Sequence, residues 1–270
     1  MVKGKPFSFW VGAAIVAFFL VVALIGPWIA PYGESDAAGE VWQPFSRDFL
    51  LGTDSLGRDV LSRLLFGTRT TVLLAVSATA LSFAIGMFFG FLAAVVGGMV
   101  DQLISRVVDV LMSIPTLIFA LVVLSLLPHS KITLILVMAA LDSTRVFRLS
   151  RAVARDVTVM EFVEAARLRG EGLAWIIRRE VLPNTLPPII SEFGLRFCFI
   201  ILFLSALSFL GLGIQPPEAD WGGMVRDNAN AIGFGLLLPL IPAAAIVLLT
   251  ISVNLLVDWQ LNRSSRPRIQ

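Results

Sequence analysis

The chain has 270 residues, of which 57% are hydrophobic and only 15% charged, and a net charge of +2. Soluble domains carry about 25% charged residues, so this composition excludes an ordinary soluble globule and predicts an all-α, polytopic helical bundle in a lipid bilayer. The basic residues are mostly arginines gathered on particular loops, as topology signals are, so no nucleic-acid partner is expected.

In chain order, the first element is an uncharged run from Phe7 to Gly33, with a candidate span at Phe9 to Ala30. A secretory signal has an apolar region of about 7–15 residues and a small-residue cleavage site. This run is longer and Pro31 follows Ala30, which predicts a retained span. Next comes "LLGTDSLGRDVLSRLLFGTRTTV", Leu50 to Val72. Gly52 marks a turn there, Thr53, Asp54 or Ser55 are candidate helix caps, and Leu56, Val60 and Leu64 share one face of an amphipathic helix suited to the outer interface. Residues 1–69 are therefore taken as a first span plus an outer segment, and 70–270 as the core.

The second span is predicted from Thr70 to Val100. Within it Ala78, Ser82, Gly86, Gly90, Ala94 and Gly98 recur every four residues, a stripe of small side chains that lets another helix approach closely. It implies packing within the chain or across a dimer. The third and fourth spans are predicted from Val110 to Leu127 and from Ile132 to about Leu149. The fourth has only ten apolar residues free of charge between Lys131 and Asp142. It must either enter at a turn beside Pro128 or continue past the bilayer with Arg145 and Arg148 in water.

Between the fourth and fifth spans lies a polar stretch. Thr158 and Glu161 make a capping box, and a short helix follows with Val159, Phe162, Val163 and Ala166 on one face and Glu164, Arg167 and Glu171 away from it. Gly170 stands where a helix ends in a left-handed residue. A second short helix, about Leu173 to Val181, is expected to stop before Pro183. Ala165, Ala166 and Gly170 are small enough to admit another surface. The fifth span is predicted from Ile189 to Leu210, with Glu192 and Arg196 as an i,i+4 ion pair near its inner end. "LSFLGLGIQPPEADWGGM", Leu207 to Met224, breaks that span at Gly211 and Gly213 and offers Trp221 as an interfacial anchor. The sixth span runs from Gly235 to Val257.

With six spans and Lys3 and Lys5 inside, the inner segments collect Arg145, Arg148, Arg151, Arg155, Arg167, Arg169, Arg178 and Arg179, then Arg263, Arg266 and Arg268. The outer segments, 31–69 and 211–234, carry five Arg against nine acids. Both termini and the polar stretch are therefore expected in the cytoplasm. Cys198 sits in an apolar run and the lone His129 beside Pro128 in a polar turn, so neither a disulfide framework nor a Cys-ligated metal site is expected. No G-x-x-x-x-G-K-[ST], H-E-x-x-H or G-x-S-x-G occurs, which argues against a nucleotide site or a catalytic constellation. Asp109 and Asp142, the one candidate acid pair, are both expected near inner ends.

Glu164-Ala165-Ala166, three residues, Gly170, and thirteen more ending in Leu182-Pro183 resemble the EAA loop of permease subunits in bacterial binding-protein-dependent ABC importers. The family pattern has an apolar residue where this chain has Glu180. The segments around Leu50 to Val72 and Leu207 to Met224 are similar to those of the C-type permeases of dipeptide, oligopeptide and nickel importers. The resemblance covers most of the chain from about residue 50 onward. It implies a type I ABC importer permease fold with six spans in the bacterial inner membrane. It further implies a coupling loop near 156–187 in which Glu164, Ala165, Ala166, Gly170, Leu182 and Pro183 meet the ATPase. Expected partners are a homologous B-type permease, two cytoplasmic ATPase subunits that use ATP and Mg, and an extracytoplasmic binding protein that delivers a peptide, with nickel or another solute as the alternative cargo. Gly86, Gly90 and Ala94 are expected to pack helices. An ion-coupled carrier would instead call for deep ionisable residues and internal repeats.

Overall fold

A computed structural model describes residues 6–264, so Lys3, Lys5, Arg266 and Arg268 of the expected inner charge set lie outside them, as does the side chain of Arg263. The described residues form helices α1 (Phe7–Ile29), α2 (Val60–Val96), α3 (Gly98–Ser113), α4 (Thr116–Leu126), α5 (Lys131–Thr158), α6 (Glu161–Leu168), α7 (Leu173–Trp175), α8 (Leu182–Phe209), α9 (Trp221–Asp227) and α10 (Leu240–Ser264). A wider π turn, Ile176–Val181, joins α7 to α8, and a 3-10 turn, Ala229–Phe234, follows α9.

Four helices are long and apolar enough to cross a membrane, namely α1, α2, the continuous run Leu173–Phe209, and α10. The third expected span is not one straight helix. Ile114 precedes Pro115, whose ring excludes the α region for its neighbour. Ile114 is accordingly extended (φ −85°, ψ 130°), and α3 and α4 meet at 87°. As one bent span they make a fifth crossing. The helix at the expected fourth span, α5, is at 28 residues roughly 42 Å long and has the length to cross, but it is not among the helices apolar enough to do so. Ser130 caps it by accepting a hydrogen bond from the Thr133 amide (3.1 Å), so it does start beside Pro128.

Boundaries shift for local reasons. Asp59, rather than Thr53, Asp54 or Ser55, caps α2, its carboxylate accepting from the Ser62 amide at 2.8 Å. The helix therefore starts ten residues before Thr70, and the division after residue 69 falls inside it. Leu56 is exposed in a turn before the helix, so the expected amphipathic interfacial element is absorbed into the first turns of α2. Gly235, left-handed at φ +76°, closes the 3-10 turn, which delays α10 to Leu240.

The main core joins α1, α2, α5, α8, α9 and α10 through Phe19, Ala75, Met138, Ile200, Trp221 and Leu249. Trp221 is fully buried, its ring 5.5 Å edge-to-face from Phe19, and is not an interfacial anchor. The small-residue stripe faces α5. A Cβ on Gly86 would lie 2.6 Å from Val146 Cβ and 2.8 Å from Ser143 O, and one on Gly90 within 3.0 Å of the Phe147 carbonyl and the Arg151 amide. The stripe thus packs within the chain, with Ala78 and Ser82 buried and Ala94 half-buried. It ends there, because Gly98 has left α2 and is the exposed first residue of α3.

Candidate functional site

The polar stretch between α5 and α8 is a bent hairpin. Gly170 adopts φ +82°, and the Gly170 amide donates to Arg167 O (2.9 Å) while the Glu171 amide donates to Ala166 O (3.1 Å). This is the bond pattern of a helix closed by a left-handed glycine. Arg169 reinforces the corner with its guanidinium 5.8 Å from the Trp175 ring centre. The expected capping box does not form, because Met160 is the cap residue and the Thr158 hydroxyl instead donates to Arg155 O at 2.9 Å.

Only half of the expected apolar face turns inward. Val163 and Ala166 are fully buried, whereas Val159 is 84% and Phe162 38% exposed. Ala166 therefore supports the hairpin from inside and admits no second surface. Glu164, Ala165 and Gly170 stand exposed, with Leu168 (84%), Met160 and Leu173 around them. Beneath, Val163 joins Ile176, Val181 and Ile189 in one apolar cluster with Phe83 and Phe91 of α2 and Val146, Ala154 and Val157 of α5. The hairpin is thus packed directly against two long helices.

Pro183 does not stop the second arm. Residues 173–209 form one 37-residue helix. A proline lacks an N–H and its ring clashes with the carbonyl four residues back. Here the backbone widens into a π turn, with the Leu182 amide reaching Ile177 O, and relieves that conflict. Side chains bond carbonyls along this proline-rich run. Asn184 donates to Glu180 O (2.6 Å), the Thr185 hydroxyl to Val181 O (3.0 Å) and the Ser191 hydroxyl to Pro187 O (3.3 Å). Leu182 is half-buried in the apolar cluster and Pro183 is exposed at the hinge.

A second constellation was not legible in the sequence. With α8 starting at Leu182, Glu192 and Arg196 fall in mid-helix and not near its inner end. They form the expected i,i+4 pair at 2.7 Å. Arg196 also lies 3.6 Å from the buried Asp142 on α5, whose same carboxylate oxygen has Arg145 at 3.7 Å and whose other oxygen accepts from the Ser82 hydroxyl of α2 at 3.3 Å. Arg145 is therefore not in bulk water, while Arg148 is, paired with Asp109 at 2.6 Å. Asp109 and Asp142 are held apart by these different partners and form no acid pair.

At the end of the bundle away from the hairpin, the expected outer end, the segments 31–59 and 210–239 are clamped by buried charge. Asp54 accepts from Arg58 (2.7 Å) and neighbours Arg63 (3.5 Å), and Asp227 lies within 3.6 Å of both and 3.1 Å from Arg226. Glu34 accepts from the Ala219 amide. Asp220 caps α9 through the Gly222 and Gly223 amides, and burial pushes its carboxyl above the usual range.

Comparison with known proteins agrees with this anatomy. The family model for the binding-protein-dependent transport system inner membrane component matches residues 86–268, and that for the N-terminal TM domain of oligopeptide transport permease C matches residues 8–48. The chain is 33% identical over 254 residues to the di/tripeptide transport system permease protein DppC of Pseudomonas aeruginosa (strain UCBPP-PA14), covering 92% of this chain and 84% of that one. It is 32% identical over 260 residues to the probable D,D-dipeptide transport system permease protein DdpC of Escherichia coli (strain K12), covering 96% and 87%. Among solved structures, an inward-facing MetNI methionine ABC transporter superposes with a TM-score of 0.63 at 16% identity, over 76% of this chain and 97% of that chain. An amino acid ABC transporter gives 0.56 at 20% identity, over 74% and 94%. At these identities the structural likeness shows the fold alone.

Proposed function

The chain belongs to the binding-protein-dependent transport system inner membrane component family, and from that premise we propose that it forms half of the pathway by which an ATP-driven importer takes up short peptides. It is a multi-pass membrane permease subunit of a system that works with ATPase and binding-protein partners. Peptide cargo is supported by the relatives, which are permeases of dipeptide systems. In this reading a B-type permease completes the pathway, and a pair of cytoplasmic ATPases binds ATP and Mg, with no nucleotide on this chain. The arginine-rich inner segments favour both termini in the cytoplasm.

One observation carries the coupling role. The exposed surface of Glu164, Ala165 and Gly170 is fixed, through buried Val163, to the same apolar cluster that grips α2 and α5. Nucleotide binding would close the ATPases and displace the hairpin, and the long helices would shift between inward and outward access. ATP drives that shift only by binding one arrangement better than the other. Leu182 and Pro183 would form the hinge on which the hairpin turns into α8.

Gly170→Asp tests this directly. No atom lies within 4 Å of an added Cβ, so the cost inside the chain is confined to the left-handed backbone, about 1–2 kcal/mol. The complex should assemble and insert while peptide uptake is abolished. An Ala165→Cys variant should cross-link to an ATPase subunit in intact membranes. Normal uptake by the aspartate variant, or capture of no ATPase at Ala165→Cys, would remove the hairpin from the mechanism.

A further inference from the structure

The charged cluster in the middle of the bundle has a place and a composition that packing does not account for. Arg196 stands fourteen residues past Leu182, roughly 21 Å up a 28-residue helix, which puts it inside a hydrocarbon layer about 30 Å thick. Arg145 stands equally far along α5. Their side chains are 22% and 30% exposed and that of Glu192 20%. Half-exposed charges at this depth do not face lipid, and they mark a water-filled path. On α8, Glu192 and Arg196 share one face with Leu195, Phe199 and Leu202, at spacings of three and four residues, and Leu195 and Leu202 of that face are exposed.

The hydrogen-bonding capacity of the cluster is not used up. Asp142 Oδ1 and Arg145 Nη1 are buried without a hydrogen bond, being 3.7 Å from each other. Arg145 Nη2 reaches only the Thr116 hydroxyl, at 3.3 Å, beside a cavity of about 170 Å³ at the α3–α4 bend that Arg145 and Thr116 help to line. That cavity is large enough for several water molecules or for an end group of a solute. Both guanidiniums lie over the Phe199 ring, 4.6 Å and 5.7 Å from its centre. Asp142, held by Ser82, is the buried counter-ion that positions the two arginines.

We propose that Arg145, Glu192, Arg196 and Phe199 form a solute contact halfway along the translocation pathway, specific for a small zwitterion. The guanidiniums take its carboxylate and Glu192 its ammonium group. Two cations and two anions leave the cluster neutral when empty, so a solute that brings one charge of each sign can exchange ion pairs without leaving a net buried charge. The identity of the zwitterion as a short peptide rests on the function proposed above.

The test uses the whole transporter, with partner permease, ATPases and binding protein, in proteoliposomes with isotope-labelled alanyl-alanine. Losing one charged hydrogen-bond partner should lower alanyl-alanine delivered per ATP hydrolysed by Arg196→Gln about tenfold or more, with ATP hydrolysis stimulated by the loaded binding protein kept within about twofold. Arg196→Lys should recover part of the loss. Hydrolysis and uptake falling in parallel would reveal a structural brace, and an unchanged ratio would also overturn the proposal. Independently, Phe199→Cys combined with Cys198→Ser should react with a charged, water-soluble thiol reagent and be protected by millimolar alanyl-alanine. Reaction only with a lipophilic maleimide places that face in lipid and ends the proposal. If the wild-type complex imports no alanyl-alanine, the peptide reading fails, and the labelling alone decides whether this face lines the pathway.

Discussion

The two ends of this bundle are built on opposite rules. At the outer end, segments 31–59 and 210–239 are locked by buried charge, with Asp54 and Asp227 shared among Arg58, Arg63 and Arg226. At the inner end, the hairpin is attached through one apolar cluster, and much of its charged and apolar surface is left open. Charge pairs are directional and resist sliding, while apolar contacts tolerate small displacements of one element against another. In the proposed function, the clamped end would hold a fixed mouth and the hairpin end would receive force from a partner.

The largest break in that contrast comes from the outer clamp. Asp54→Ala leaves Arg58 and Arg63 buried with Asp227 as their remaining partner, and removing one member of a buried ion pair costs about 3–5 kcal/mol. The thermal midpoint of the purified complex should fall by several degrees, and a midpoint equal to wild type would refute the clamp. Next is the spine that joins the two ends. The Cβ of Gly90→Leu would already lie 2.8 Å from Ser150 Cβ and 3.0 Å from the α5 backbone, so overpacking should cost about 1–3 kcal/mol and lower the yield of assembled complex. Full yield and unchanged melting would mean that α2 and α5 separate freely. The smallest effect on stability belongs to the hairpin surface. Leu168→Ser, at 84% exposure, should change stability by no more than about 0.5 kcal/mol and yet weaken recovery of the ATPase subunits with the membrane complex. Wild-type recovery would restrict the docking surface to the other arm.

Much of the inner end was legible because it depends on local rules. The left-handed corner follows from Gly170 alone, and the stripe of Gly86 and Gly90 follows from spacing. Local rules failed where two of them competed. The rule that a helix stops before proline lost to a π turn at 176–181, backed by side chains of Asn184 and Thr185. Trp221 reads as an interfacial ring, but the break at Gly211 folds α9 back against α8 and α10 and buries it beside Phe19. Asp142 and Arg196 lie 54 positions apart, and no periodicity within one helix could bring them together.

Composition and spacing by themselves determined that the chain crosses a membrane in apolar helices, that a polar hairpin interrupts them, and that one helix approaches another along glycines. Those properties belong to a single segment and its solvent, and burial drives them whatever the neighbours are. The tertiary structure alone decided which faces the neighbours cover. That choice set which half of the hairpin is free, which ions share a partner, and which charges stand open at mid-depth, since each depends on atoms that distant parts of the chain bring within a few ångströms.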